Sequence, residues 1–178
     1  MRKKYFGLLF AVLLLSTGTA FASTAVANIH GTKEGSTISG KAVLEDTKDG
    51  LQISLKLENV PSGKHGFHIH ENGSCADGGN AAGGHFNPDG LPHGLLFKDG
   101  ITHAHAGDLG NLVIGPSGSG TFETVVKDIT LAGGKHNVAG RAFILHEKED
   151  DFGQPTGNAG GRIACGVIEQ DDKDANSK

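Results

Sequence analysis

His68 and His70 stand two residues apart in Lys64 to Glu71, a stretch that reads as a strand. Alternation along a strand sends both imidazoles from one face and Phe67 and Ile69 from the other. Two parallel rings can share one metal ion, yet a His-x-His pair alone is more often an accident of the surface than a site. The residues that follow shift that balance. His85, His93, His105 and Asp108 come at gaps of 8, 12 and 3, and His146 ends a later apolar run. Ten histidines in 178 residues is itself a high count. Three nitrogens and one carboxylate oxygen, from His85, His93, His105 and Asp108, make a closed tetrahedral set suited to Zn2+. An all-imidazole set of His68, His70, His146 and one shared loop histidine suits Cu2+, which accepts a flattened geometry and can cycle to Cu+. A closed zinc set beside an open copper set implies redox chemistry. Zinc-dependent hydrolysis would need an open zinc position and a general base.

The elements that must position these side chains are strands. Leu51, Ile53, Leu55 and Leu57 alternate with Gln52, Ser54, Lys56 and Glu58, the period of a strand with one wet face. Noisier runs of the same kind cover Val26 to Gly31, Thr37 to Glu45, Lys64 to Glu71, Asp108 to Ile114, Gly120 to Lys127, Val138 to His146 and Ile163 to Glu169, which makes eight strands in all. Lys48-Asp49-Gly50 carries an Asp-Gly hairpin signal, and Pro61-Ser62-Gly63 and Pro116-Ser117-Gly118 mark two further turns. No stretch sustains a helical period, so the expected fold is all-β, an antiparallel sandwich or barrel. Glycine, 29 residues and about twice the usual share, serves the turns. Asn72 to Gly107 and Glu147 to Gly161 are long, glycine-rich and without period, and structureless loops of that length are functional or disordered.

The ends bound the rest. Arg2, Lys3 and Lys4 precede an apolar run from Phe6 to Leu15, and Ala20-Phe21-Ala22 has a small-x-small pattern, so residues 1–22 read as a secretory signal peptide, with Ala25-Val26-Ala27 as a second cleavage pattern. A membrane anchor needs about 20 apolar residues, more than this run offers. About 156 residues of the 178 remain, enough for one core and one domain, 23–170, followed by a charged tail, 171–178, expected to be disordered. The formal charge of −4 becomes −7 once Arg2, Lys3 and Lys4 are lost, which gives no footing for nucleic acid or anionic lipid. Cys75 and Cys165 are the only cysteines, and in an exported chain one disulfide is the simple reading, two buried thiols the other. Such a bridge would close about 90 residues, on the order of 4 kcal/mol in the chain-entropy model.

Five blocks resemble the copper/zinc superoxide dismutase family, in the family's order and across nearly all of the mature chain. They are Gly66-Phe67-His68-Ile69-His70-Glu71; Gly84-His85-Phe86-Asn87-Pro88; His105-Ala106-Gly107-Asp108-Leu109-Gly110-Asn111; Gly140-Arg141 through His146-Glu147-Lys148; and Gly157-Asn158-Ala159-Gly160-Gly161-Arg162-Ile163-Ala164-Cys165-Gly166. The resemblance implies an eight-stranded Greek-key sandwich of immunoglobulin-like architecture, in which this family is a known case. It implies copper held by His68, His70, His85 and His146, and zinc held by His85, His93, His105 and Asp108, with His85 bridging as an imidazolate. Asp150 would link His68 to His93 as an outer carboxylate, although a solvated acidic turn is the plainer reading of that residue alone. Arg162 would sit beside the open copper position and orient a small anion, and Cys75 would pair with Cys165. The implied reaction is dismutation of superoxide to O2 and H2O2, with copper alternately reduced and re-oxidised, His85 protonated and released in turn, and zinc holding His85.

The remaining histidines take plainer readings: His65 a structural hydrogen-bonding role, His30 and His136 no ligand role. His103 competes with His105, and spacing to Gly107-Asp108 favours His105. The loop after His146 is short and lacks the charged insertion of many eukaryotic members, whereas the stretch from Cys75 to His85 is longer. With the leader, this implies a bacterial exported enzyme, periplasmic or extracellular, with superoxide as its small-molecule partner and no stable membrane association after cleavage. It leaves open whether the chain forms a homodimer. A non-catalytic copper-binding relative is the alternative, and the intact ligand positions argue against it.

Overall fold

The period-2 run around Leu51 is the centre of β3 (Gly50–Glu58), with all four leucine and isoleucine side chains in the core. A computed structural model describes residues 22–171, so the readings of the leader and of nearly all the tail fall outside the described residues. The other strands are β1 (Thr24–Gly31), β2 (Ser39–Thr47), β4 (Gly63–His70), β5 (Asp108–Ile114), β6 (Gly120–Val126), β7 (Ala142–His146), β8 (Arg162–Val167) and the two-residue β9 (Glu169–Gln170).

Every pairing among them is antiparallel, in the order β5-β4-β7-β8-β1-β2-β3-β6, with β9 beside β1. The sheet is nearly closed, and its connections cross from one half to the other as in a Greek key. β1 and β8 join the halves through only two paired positions, His30 with Cys165 and Gly31 with Ala164. Along β2 and β3 small residues face large ones, Ala42 opposite Leu55 and Gly40 opposite Leu57, which lets the two halves close on one apolar interior. Phe67, stacked on Phe143 at 5.0 Å and edge-on to Phe122 at 5.8 Å, anchors the half that carries the histidines. Burial of each such side chain is worth about 2 kcal/mol.

Two boundaries depart from the sequence reading, and the first hairpin falls where the sequence sets it. The run expected from Val138 begins as a strand only at Ala142, because Gly140 takes φ 73° and turns the chain, although Val138 still fills the core. The last run divides at Ile168, whose amide donates to Arg141 O, after which Glu169 and Gln170 pair with β1. The first hairpin connects through Lys48 and Asp49, with Thr47 paired to Gly50; a Cβ at Gly50 would lie 2.4 Å from Val126 O.

The outer face of β4 and β7 is buried too, because the two long connections fold over it. The first, Glu71 to Gly107, contains a 3-10 segment (Asp77–Ala82) and one helical turn, α1 (Leu96–Asp99). Beneath the 3-10 segment lies a small second cluster of Ala82, Ala142, Ile144 and Cys165.

Candidate metal centre

Outside the barrel, β4 presents His68 and His70 while Phe67 and Ile69 point inward. Two register shifts then bring partners onto that same face. In β5 the pairing slips between Gly66 and His68, so His68 faces Asp108 where an unbroken register would place Leu109, a core side chain. In β8 it slips after Leu145, so His146 faces Arg162 where an unbroken register would place Ile163, also in the core cluster. A bulge of this kind re-aims one side chain while the next keeps its place in the interior. The bridging loop is fastened by Phe86 N donating to Ile69 O at 2.8 Å and Gly107 N to Phe86 O at 3.0 Å, which sets His85 opposite His70.

The result is two sets of donors, each with its candidate ligand atoms within 4.8 Å of one another: His68, His70, His85 and His146, and His85, His93, His105 and Asp108. All seven residues are buried. In the second set, Asp108 Oδ1 lies 2.9 Å from His85 Nδ1 and 3.1 Å from His105 Nδ1, and Oδ2 lies 2.9 Å from His93 Nδ1. Oδ2 also accepts from Gly94 N at 2.9 Å and His105 N at 3.1 Å. In the first set, His68 Nε2 bonds Asp150 Oδ2 at 2.7 Å, His70 Nδ1 donates to Gly83 O at 2.9 Å and His146 Nδ1 to Gly160 O at 3.3 Å. These bonds fix which nitrogen of each ring faces the interior of its set, and His70 Nε2 and His146 Nε2 lie 3.4 Å apart.

Two ring nitrogens test whether the donors fit a cation. His68 Nδ1 and His93 Nδ1 are buried without any hydrogen-bond partner. His93 Nδ1 is close to a carboxylate oxygen but out of hydrogen-bonding line with it, as two acceptors aimed at one common point would be. Leaving such atoms unmatched costs about 1–3 kcal/mol each, and a metal ion is the group that takes lone pairs from imidazole and carboxylate together. The donor chemistry therefore fits copper at the all-histidine set and zinc at the set with Asp108.

The titration of the site agrees. Burial pushes His70 down to about 2, with His85, Arg162 and His146 adding to the effect against a bond to Gly83 O. Burial likewise lowers His146 to about 3 and His85 to about 4. These rings are neutral at physiological pH, the form that binds metal. His93 goes the other way: burial opposes a charge there, but Asp108 and Asp150 raise it to about 9. Both carboxyls stay well below the usual carboxylate range despite burial, held there by the histidines around them. The two ends of the centre thus differ in charge, and the Asp108 end calls for a cation.

Asp150 spans both sets, with His93 Nε2 at 3.0 and 3.1 Å from its two oxygens in addition to His68. Its backbone is held by Asn111, whose Nδ2 donates to Asp150 O at 2.8 Å and whose Oδ1 accepts from Asp150 N at 2.7 Å. Asn111 closes one of the five quoted blocks, yet no sequence signal gave it this task. Half-buried Arg162 donates to Gly79 O and Gly83 O, each at 2.6 Å, and Gly83 O is also the acceptor for His70. The stretch bearing these carbonyls, Gly79 within the 3-10 segment and Gly83 just after it, is tied to β8 by the Cys75–Cys165 disulfide that precedes it, Cα–Cα 5.7 Å. The thiol alternative is therefore excluded. His105 rather than His103 joins the cluster; His103 is exposed beside Thr102 Oγ1. His65 is buried between His146 O and Pro61 O, at 2.8 and 2.9 Å, His30 is exposed on β1, and His136 meets Asp89 at the surface.

Comparison with known proteins gives two findings. The family model described as copper/zinc superoxide dismutase matches residues 38–168. A solved structure described as the clock protein EA4 is 37% identical, with 87% of this chain and 99% of that chain covered and a TM-score of 0.74.

Proposed function

The chain belongs to the copper/zinc superoxide dismutase family, and from that premise we propose that it is an enzyme that dismutates superoxide to O2 and H2O2. Copper would be held by His68, His70, His85 and His146, and zinc by His85, His93, His105 and Asp108. Bound there, copper supplies a one-electron acceptor and donor, and zinc supplies a fixed positive charge. The observation that carries the reading is that His85 is the one residue common to both donor sets.

The residues of the chain divide the remaining work. Arg162, with two of its five N–H donors committed to Gly79 O and Gly83 O, keeps the others free to bind and orient a small anion beside the all-histidine set. The carbonyls that hold it belong to the disulfide-tied segment, so the guanidinium is preorganised. His85 turns Nδ1 toward Asp108, leaving Nε2 as the atom that takes up a proton and gives it to the departing peroxide. Asp150 fixes the rings of His68 and His93 against rotation. Export through removal of residues 1–22, to the periplasm or the exterior, completes the reading, and the N-terminal sequence of the secreted protein tests it.

Metal analysis of the purified mature protein, paired with a dismutation assay, tests the function. We expect one copper and one zinc per chain and rapid turnover. Fully metallated protein that leaves superoxide untouched would make this a copper-binding relative and not an enzyme.

A further inference from the structure

We infer that Gln154 is a positioning residue for the zinc end of the centre, holding the backbone of His93 so that its ring meets Asp108 and Asp150. The inference rests on the reading of His85, His93, His105 and Asp108 as a zinc set.

His93 lies in neither a strand nor a helix, so its own N–H and C=O have no ladder to join. Buried backbone groups left unpaired are costly, and nearly all find a partner. Here both find it in one exposed side chain. Gln154 Oε1 accepts from His93 N at 3.1 Å, and Gln154 Nε2 donates to His93 O at 2.8 Å. A carboxamide is a peptide group on a stem, and in this arrangement it pairs with His93 as a neighbouring strand would.

The same short loop closes on the rest of His93. Asp150 binds its Nε2, and the Phe152 ring stacks on it at 6.3 Å and 18°. Gly157 passes so near that a Cβ there would lie 2.7 Å from His93 Nε2. These residues are held together because the loop is bonded to itself. Asp151 N donates to Gly157 O at 2.9 Å, Gly157 N to Gly153 O at 2.7 Å and Phe152 N to Asp150 Oδ1 at 2.8 Å. The loop is thus a clamp on one zinc-set histidine, reached from the surface, and Gln154 is the part that fixes backbone position. Its carboxamide makes its two hydrogen bonds to His93 and not to the all-histidine set. The carboxamide serves both backbone groups, whereas Glu keeps the acceptor for His93 N but sets a charge against His93 O, and Ala supplies neither.

The test uses the full mature protein, Gln154→Ala and Gln154→Glu, with Co2+ as a coloured probe in place of zinc. We expect zinc to pass to a chelator about tenfold faster in Gln154→Ala, the lower end of what lost outer partners of a metal site cost, and faster still in Gln154→Glu. The visible bands of bound Co2+ should shift in both, while the Cu2+ spectrum stays that of the parent. Parental zinc release and parental Co2+ bands in both variants overturn the inference, even if melting temperature falls, because a purely structural glutamine predicts that pattern. Parent protein that takes up neither zinc nor Co2+ at this set overturns the zinc reading itself, a result distinct from the first.

Discussion

Three of the four imidazoles of the all-histidine set, His68, His70 and His146, stand on strands β4 and β7, whereas in the set with Asp108, proposed for zinc, His85, His93 and His105 all come from loops and only Asp108 begins a strand. The means of support differ in step. Strand histidines inherit their positions from the ladder; His70 and His146 are oriented by neutral carbonyls, Gly83 O and Gly160 O, and burial leaves those two uncharged, while His68 leans on Asp150. Loop histidines are gathered by carboxylates, Asp108 and Asp150, whose charge lifts His93 above its ordinary value. The sheet thus presents two of its three donors without a counter-charge, while the loop histidines gather around carboxylates, and that charge in turn favours a divalent cation.

Substitution can break this contrast. The largest effect is expected at the strand end: His146→Ala should abolish dismutation while zinc stays bound, and retained activity would remove it from the copper set. At the loop end, Asp108→Asn removes the carboxylate on which three ring nitrogens converge. Zinc affinity in a competition assay should fall more than ~100-fold, beyond the range typical of an outer partner, with Cu2+ still bound by the strand histidines. Arg162→Glu should slow superoxide turnover roughly 10- to 100-fold with copper retained, since it reverses the charge that draws the anion in; an unchanged rate would place it outside the site.

Smaller effects sharpen the same comparison. A Cys75→Ser/Cys165→Ser variant loses a bridge across 90 residues, on the order of 4 kcal/mol in the chain-entropy model. Calorimetry should show a melting temperature lower by roughly 10 °C, with dismutation reduced because the Arg162 carbonyls are no longer tied down. The smallest change is expected at Asp89, where Lys135 and His136 pin the first long connection at the surface. Hydrogen bonds from Lys135 and His136 hold its carboxyl below the ordinary 3.8. Its stabilisation is present above that pH and is lost as pH falls below it, so Asp89→Asn should melt slightly lower at neutral pH and match the parent in strong acid. Added salt should shrink the difference.

The strand end was also the more legible in the sequence. His68-Ile69-His70 needs only the alternation of a strand to put both rings on one face, and Leu51 to Leu57 needs only the same rule to define the interior. The loop end offered donor types suited to zinc, but gaps of 8 and 12 residues carry no geometry, so that these donors meet was implied only by whole-block resemblance. Gln154 was invisible for that reason: a surface glutamine in a loop has no period, and its role exists only because His93, 61 residues away in the chain, leaves two backbone groups unpaired.

Residue types and alternation thus determined the all-β fold, the apolar interior, and the donor chemistry with its capacity for two different metals. Tertiary structure decided which donors meet. Two one-residue bulges put Asp108 and Arg162 on the outer face where unbroken registers would have offered Leu109 and Ile163, and two loops folded back to bury that face. Alternation is a local property of the chain. Register slips and loop closure depend on contacts between distant segments, and these form only when the barrel closes.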